Sequence, residues 1–352
     1  MRPYFEKMQE WNKPVKVNAK NAEEIKKVEA DIAERVEKAK KAGLAQETLN
    51  KRGEWTVHQR LEYIVDPGTW APLHLLFDPK DEESGTTGVV DGLGRINGKW
   101  CVIIGFDNKV MAGAWIAGQP LNILRVTDIA RRLHCPLVWL VNCSGVKLPE
   151  QETMYGNRHG SGTTFFRHAE LNKLGIPVLA AIYGTNPAGG GYQGISPTLL
   201  LAHKDANIAV GGAGIVSGMA PKGYFDEEMA EAIIEATKKF KAVPPGRVEI
   251  HHDVTGFFRE VHPTEESLLD SLKSWVGKLP YYDPSFFRVA KPAEPKYPAE
   301  DLYSVVQFNQ KMVYDVESVM ARLVDNSEHM EFRPEIGPEL YTGLVKVDGF
   351  LI

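Results

Sequence analysis

The sequence predicts an α/β domain in which helices cover a parallel sheet. Two short runs, Leu137–Val141 and Val178–Ile182, are apolar at every position, as strands buried on both faces must be. Helical periodicity fills residues 121–133 and 160–174, so helix and strand alternate. Ahead of them, GVVDGLGRINGKWCVIIGFD (88–107) holds two extended runs joined at Asn97-Gly98, the dipeptide suited to a type I′ hairpin.

In chain order, residues 18–43 read as a charged amphipathic helix. Ile25, Val28, Ile32, Val36 and Ala39 recur at three- and four-residue spacing, and Gly43 supplies the stop. So narrow a stripe suits the outside of a domain or a subunit contact. A second helix, 57–65, ends at the breaker Asp66-Pro67-Gly68. The stretch 175–197, GIPVLAAIYGTNPAGGGYQGISP, leaves its buried strand through Gly184, Asn186 and Pro187 and reaches three consecutive glycines, Gly189, Gly190 and Gly191. Beyond it, Ile195, Leu199, Leu200 and Ala202 read as a helix whose N-terminal dipole faces the glycines. A short strand at 208–210 and helices at 226–242 and 264–279 follow, the last with Thr264 as N-cap. Pro280, Pro284, Pro292, Pro295 and Pro298 mark residues 280–299 as a linker.

After the linker an earlier pattern returns. A helix from about Asp301 runs into MARLVDNSEHMEF, and TGLVKVDGFLI closes the chain. These parallel LEYIVDPGTW and DGLGRINGKWCVI: Gly92-Leu93 matches Gly343-Leu344, Arg95-Ile96 matches Lys346-Val347, and Asn97-Gly98 matches Asp348-Gly349. Helix, Asp-containing break, strand and Asx-Gly turn recur in order about 250 residues apart, which indicates duplication. The expected organisation is an N-terminal helical extension (1–50), a first domain (51–299), and a linker helix with the beginning of a second, incomplete copy (300–352).

Composition narrows the function. With 41 Lys and Arg against 46 Asp and Glu, the net charge of −5 gives no basic excess for displacing counterions, which argues against nucleic-acid binding. No segment approaches the ~20 apolar residues of a membrane-spanning helix. The N-terminus, MRPYFEKMQEWNKP, has no apolar signal core. Cys101, Cys135 and Cys143 are odd in number and lack CxxC spacing, as expected of reduced thiols in a cytoplasmic protein.

The chemistry-bearing segments lie at strand ends. NCSGV (142–146) follows the strand Leu137–Val141, and open α/β sheets place ligands at the carboxyl ends of their strands. The backbone amide of Val146 and one from the glycine run form a candidate oxyanion pair; the alternative is a tight turn that packs strand against helix. Cys143 and Ser144 invite a nucleophile reading with His159 or His168 as base. No GxSxG elbow surrounds them, and a buried thiol beside a turn-bonding hydroxyl is the preferred reading. His251-His252-Asp253 is read as one loop-lining and one solvated histidine on a strand, with no metal site expected. GGAG (211–214) lacks a Walker lysine. Lys51, Arg52, Arg158 and Arg167 are candidate partners for coenzyme phosphates.

Taken together, RLEYIVDPGTW, GLGRINGK, NCSGV, PAGGG with its following SP, GGAGIVSG and IHHDVTGFFREV resemble the carboxyltransferase domain of biotin-dependent enzymes, a branch of the crotonase superfamily, over about residues 55–352. Within it the chain is most similar to sodium-pumping decarboxylases that act on glutaconyl-CoA. The family usually has two glycines after the serine, where this chain has Gly145 and Val146; a backbone amide survives that change.

The resemblance implies a crotonase/Clp-protease-like ββα spiral, with the acyl-CoA held by this domain and biotin by the second copy. Val146 and Gly189, with Gly190, would hold the thioester oxygen. Ser144, Gly145, Gly191, Tyr155, Arg158 and Tyr192 would line the acyl-CoA site. The distal carboxylate of glutaconyl-CoA would pass to biotin through a dienolate, leaving crotonyl-CoA, without metal. Biotin would arrive on a separate carrier subunit: Met219-Ala220-Pro221-Lys222 and Lys311-Met312 do not fit a Met-Lys-Met biotinylation sequence. The resemblance further implies membrane sodium-pump subunits as partners, a peripheral place on the inner membrane face, and a homo-oligomer (a dimer or dimer of dimers). One alternative is the β subunit of a propionyl-, acetyl- or methylcrotonyl-CoA carboxylase; more distant ones are a Clp-type serine hydrolase and a non-catalytic acyl-CoA-binding subunit.

Overall fold

The structure is a computed structural model that describes residues 8–76, 86–156, 158–194, 197–209, 246–280, 288–332, 337 and 339–352. The GGAG segment and the expected 226–242 helix lie outside the described residues. The chain forms two compact units, residues 35–279 and residues 1–34 with 280–352.

Strand β1 (Gln9–Glu10) belongs to the smaller unit. The larger unit holds β2 (Ala71–Leu73), β3 (Val89–Ile96), β4 (Lys99–Phe106), β5 (Leu137–Val141), β6 (Val178–Ile182), β7 (Thr185–Pro187), β8 (Leu199–His203), β9 (Asn207–Ala209) and β10 (Glu260–His262). Seven of these form one mixed sheet in the order β10-β8-β6-β5-β4-β3-β2, parallel from β10 to β4 and antiparallel across β4, β3 and β2. The expected α/β architecture is present. Both faces are covered, which explains the unbroken apolar runs: Leu137, Trp139 and Val141 enter one core, and Val138 and Leu140 the other. The first core packs under helices Gln119–Leu133 and Ser161–Lys173, the second under Val57–Ile64 and Glu265–Lys278. Thr264 caps the last of these, its hydroxyl accepting from Ser267 N at 3.2 Å.

One expected helix is a strand. Leu199–His203 is β8, placed between β6 and β10 with Leu179 opposite Leu199 and Val261 opposite Ala202. Thr198 Oγ1 accepts from Val178 N, and Thr198 N donates to Val178 O at 2.7 Å, so pairing with β6 begins at the preceding residue. Here an uninterrupted apolar run serves as an interior strand, and sheet pairing prevails over helical spacing. The helix dipole expected to face the glycines is therefore not supplied by this segment.

The helix expected from Asp301 is two short ones, Leu302–Val305 and Val316–Met320. The smaller unit carries β11 (Glu328–Glu331), β12 (Gly343–Val347) and β13 (Phe350–Leu351) in an antiparallel sheet β1-β11-β12-β13. The long helix Ala19–Lys40 buries Ala39 and leaves Val28 and Ile32 exposed.

The repeated segments are alike in detail. Asn97 and Gly98 have φ of 50° and 73°; Asp348 and Gly349 have 53° and 78°. In both turns the left-handed pair meets the strand twist, and the second residue is glycine. Asp66 accepts from the amides of Asn97 (3.2 Å) and Gly98 (2.7 Å). Asp325 does the same for Asp348 (2.9 Å) and Gly349 (2.7 Å). The aspartate of each break thus clamps the turn of its own hairpin, about 30 and about 24 residues downstream.

Candidate active site

At the carboxyl end of β5 the chain enters Asn142–Val146, and beyond β6 it enters β7 and a 3-10 segment, Ala188–Gly194. Asn186 joins the two loops. Its Oδ1 accepts from Cys143 N (2.7 Å), while its Nδ2 donates to Tyr183 O (2.7 Å) and Gly184 O (3.1 Å). Fully buried, this one side chain satisfies three backbone groups and fixes the spacing of the loops.

Glycine at 190 is required by that spacing. A Cβ there would lie 2.4 Å from Cys143 O and 3.1 Å from both Cys143 Sγ and Gly145 N. Gly145 has φ +100°, a region closed to most side chains. At Gly189 a Cβ would meet the Tyr155 hydroxyl at 2.5 Å and Val146 Cγ2 at 3.4 Å. Gly189, Val146 and Tyr155 therefore share one corner. Trp115 pairs with Val146 in parallel, its N–H donating to Gly145 O (2.8 Å) and its carbonyl accepting from Lys147 N (2.9 Å). That pattern turns the Val146 amide away from Trp115. Among the described residues, neither the Val146 nor the Gly189 N–H is given to an acceptor outside its own segment.

The remaining expected site residues lie nearby or at the surface. Gly191 is buried against Asn186 O and Ile208. Tyr192 is half-buried and meets Phe165 edge-on at 5.1 Å, Phe165 in turn stacking on Trp115 at 5.4 Å. Arg158 is exposed. Ser144 is exposed and donates to Met111 O at 3.1 Å. Among the described residues it makes no hydrogen bond to a histidine. Burial pushes the Cys143 thiol up to about 12, far from the thiolate a nucleophile requires. His168 is also buried, edge-on to Trp139 at 5.6 Å, and burial lowers it to about 4. It belongs to the core.

His251 and His252 sit on a helical turn, Ile250–Val254, where a strand was expected. His251 Nε2 bonds Ile208 O (3.0 Å), and exposed His252 faces Asp253 (2.7 Å), so one ring is inward and one solvated. Among the described residues no three His, Cys, Asp or Glu side chains gather as a metal site, and no helix is long and apolar enough to cross a membrane.

A cleft of about 410 Å³ opens at the carboxyl ends of β4, β5, β6 and β8. Asn108, Asn142, Ser144, Thr185 and His203 line it on the sheet side, and Arg52 and Glu54 on the other. Its floor carries an ion pair that local sequence patterns did not reveal. Arg60 donates from Nε to Glu265 Oε2 (2.9 Å) and from Nη2 to Oε1 (2.7 Å), and its guanidinium stacks on Tyr183 at 3.7 Å. Asn186 was likewise read only as part of a break; an Asn between two turn-forming glycine segments was the one available signal.

Residues 48–352 match the family model described as the carboxyl transferase domain. The whole chain is 53% identical, over 354 aligned positions, to 60% of the glutaconyl-CoA decarboxylase subunit alpha of Acidaminococcus fermentans. Over 85% of its length it is 28% identical to 54% of the biotin-dependent 3-methylcrotonyl-coenzyme A carboxylase beta1 subunit of Mycobacterium tuberculosis. Among solved structures, the geranyl-CoA carboxylase beta subunit of P. aeruginosa has a TM-score of 0.76 at 22% identity, covering 97% of this chain and 62% of that one. Transcarboxylase 12S has a TM-score of 0.58 at 19% identity, covering 93% and 62%. At such identities the two structures speak for the fold alone. The chain spans between 54% and 60% of the length of these two curated relatives.

Proposed function

Because the chain belongs to the carboxyl transferase domain family, we propose that it is the acyl-CoA half of a biotin-dependent carboxyltransferase, acting on glutaconyl-CoA. The observation that carries this reading is the corner where Val146, its amide turned from Trp115 and its side chain packed beside Gly189, faces the glycine run across loops clamped by Asn186. Two fixed amides at a thioester oxygen stabilise the charge that develops there, and losing one such donor costs roughly 3–4 kcal/mol. Glutaconyl-CoA suits the device. Its distal carboxylate sits on the methylene next to the double bond that is conjugated with the thioester, so loss of carbon dioxide leaves a dienolate whose charge reaches that oxygen. A ureido nitrogen of biotin would take up the carbon dioxide and give up its N–H proton, and the dienolate would gain one proton to become crotonyl-CoA, so the transfer balances.

In this reading Gly190 and Gly191 keep the loops close, Ser144 and Gly145 shape the first loop, and Tyr155, Arg158 and Tyr192 line the acyl-CoA site. The cleft beside Ser144 gives the coenzyme room. Residues 51–299 form the acyl-CoA domain, behind a helical extension at 1–50, and residues 300–352 begin a second copy whose remainder holds biotin. Biotin comes on a carrier subunit, the assembly is a homo-oligomer (a dimer or dimer of dimers), and membrane sodium-pump subunits hold it at the cytoplasmic face. The 53% identity to a glutaconyl-CoA decarboxylase subunit, against 28% to a carboxylase beta subunit, supports glutaconyl-CoA over the branched and shorter esters. The test is carboxyl transfer to free biotin by the protein extended through its second domain. Transfer from glutaconyl-CoA is expected to exceed exchange with propionyl- or methylcrotonyl-CoA. The reverse order makes it a carboxylase beta subunit, and binding without exchange makes it an assembly subunit.

A further inference from the structure

The corner contains a third polar group that two backbone amides leave unexplained. The Tyr155 hydroxyl lies 2.5 Å from the point a Cβ on Gly189 would occupy, and Val146 Cγ2 lies 3.4 Å from the same point. The absence of a side chain at 189 thus admits the phenol into the corner that Val146 and Gly189 share. Tyr155 closes the short helix Gln151–Tyr155, and the carbonyls of Met154 and Tyr155 pack so tightly on Gly160 that a Cβ there would fall 2.7 Å from each. The backbone that carries the phenol is therefore held in place. Among the described residues the hydroxyl has no hydrogen-bond partner, although it is not sealed off: Tyr155 is half-buried and lines a second open recess with Pro149, Gln151 and Glu152. Burial, with Tyr192 and Cys143 adding to it, raises the Tyr155 hydroxyl above its ordinary range, so the proton stays on oxygen at neutral pH.

We infer that Tyr155 is a catalytic residue whose hydroxyl donates a third hydrogen bond to the thioester oxygen, alongside the amides of Val146 and Gly189. The inference rests on the proposed carboxyltransferase reading and adds a side-chain donor to it. No bond to Tyr155 forms or breaks; the phenol O–H stays intact and its hydrogen bond strengthens as negative charge moves onto the oxygen. A neutral donor is well matched to this task, because it polarises the enolate without fully protonating it.

The experiment uses 4-(dimethylamino)cinnamoyl-CoA, whose absorbance moves to the red when its thioester carbonyl is polarised, and the chain as it stands. Wild type is expected to bind the probe with a red shift. Tyr155→Phe should bind it within about threefold but with the shift at least halved, and in the full carboxyltransferase kcat should fall about 10²-fold with KM little changed. A fluorotyrosine at 155, isosteric and a stronger donor, should enlarge the shift, which a merely structural tyrosine would not do. An undiminished shift in Tyr155→Phe, or no response to the fluorotyrosine, overturns the inference while leaving the two-amide corner standing. A wild-type protein that binds the probe with no shift overturns the corner itself, and the role of Tyr155 with it.

Discussion

Neutralising Glu265 is expected to destabilise the larger unit more than any surface change, and removing both partners of its ion pair far less. Arg60 is 1% exposed and Glu265 5%. The carboxylate accepts three hydrogen bonds: from Arg60 Nε (2.9 Å), Arg60 Nη2 (2.7 Å) and Trp55 N (3.0 Å). Glu265→Gln keeps the shape but leaves a guanidinium buried on Tyr183 without its counter-charge. Breaking a buried pair from one side typically costs about 3–5 kcal/mol. Replacing both residues by methionine removes the stranded charge and restores apolar packing, so the double variant should lie within about 1 kcal/mol of wild type. Urea titration followed by tryptophan fluorescence reads the change, with Trp55 tied to the carboxylate through its backbone amide. A Glu265→Gln loss below about 1 kcal/mol, or a double variant worse than that single one, refutes the reasoning.

Other outcomes follow from the same geometry. Gly190→Ala would place a Cβ 2.4 Å from Cys143 O, and carboxyl transfer should drop about 10²-fold as the loops part, with a modest fall in Tm measured alongside. Asn186→Ala strands the Cys143 amide, takes the side-chain donor from the Tyr183 carbonyl and leaves the Gly184 carbonyl only its bond from Asn207 N, and should cost about 1–3 kcal/mol by denaturant titration while weakening acyl-CoA binding. Burial lowers His168 from its ordinary 6.5 to about 4, so the unfolded chain binds a proton that the folded chain refuses. This contribution to stability is present above pH 6.5 and is lost as pH falls towards about 4. It amounts to roughly 3 kcal/mol, and His168→Gln should flatten that part of the stability–pH profile. With its thiol pushed up to about 12, Cys143 should resist iodoacetamide at pH 8 in the folded protein, as mass spectrometry of the intact chain would report.

What the sequence made legible was mostly local. Asn97-Gly98 carries its turn in two residues, Thr264 carries its cap in four, and the apolar runs at Leu137–Val141 and Val178–Ile182 need no partner to be recognised as buried. Both loops of the candidate corner were found in this way, since glycines and small polar residues after a strand mark where backbone can approach a ligand. Leu199–His203 was misread because neighbours decide it: β6 on one side and β10 on the other give its backbone sheet partners, and no signal within the five residues reports them. The same holds for pairs distant in sequence. Arg60 meets Glu265 across 205 residues, and Asn186 reaches Cys143 across 43. Asp66 and Asp325 were visible as breaks, but their grip on the hairpin turns emerged only when the fold brought them to those amides.

The most direct measurement is a crystal structure of the chain with glutaryl-CoA, the saturated ester that keeps the distal carboxylate but cannot form a dienolate by losing it. The account predicts the thioester oxygen within about 3 Å of both Val146 N and Gly189 N. A thioester bound elsewhere, or an oxygen at that corner turned from both amides, would contradict it.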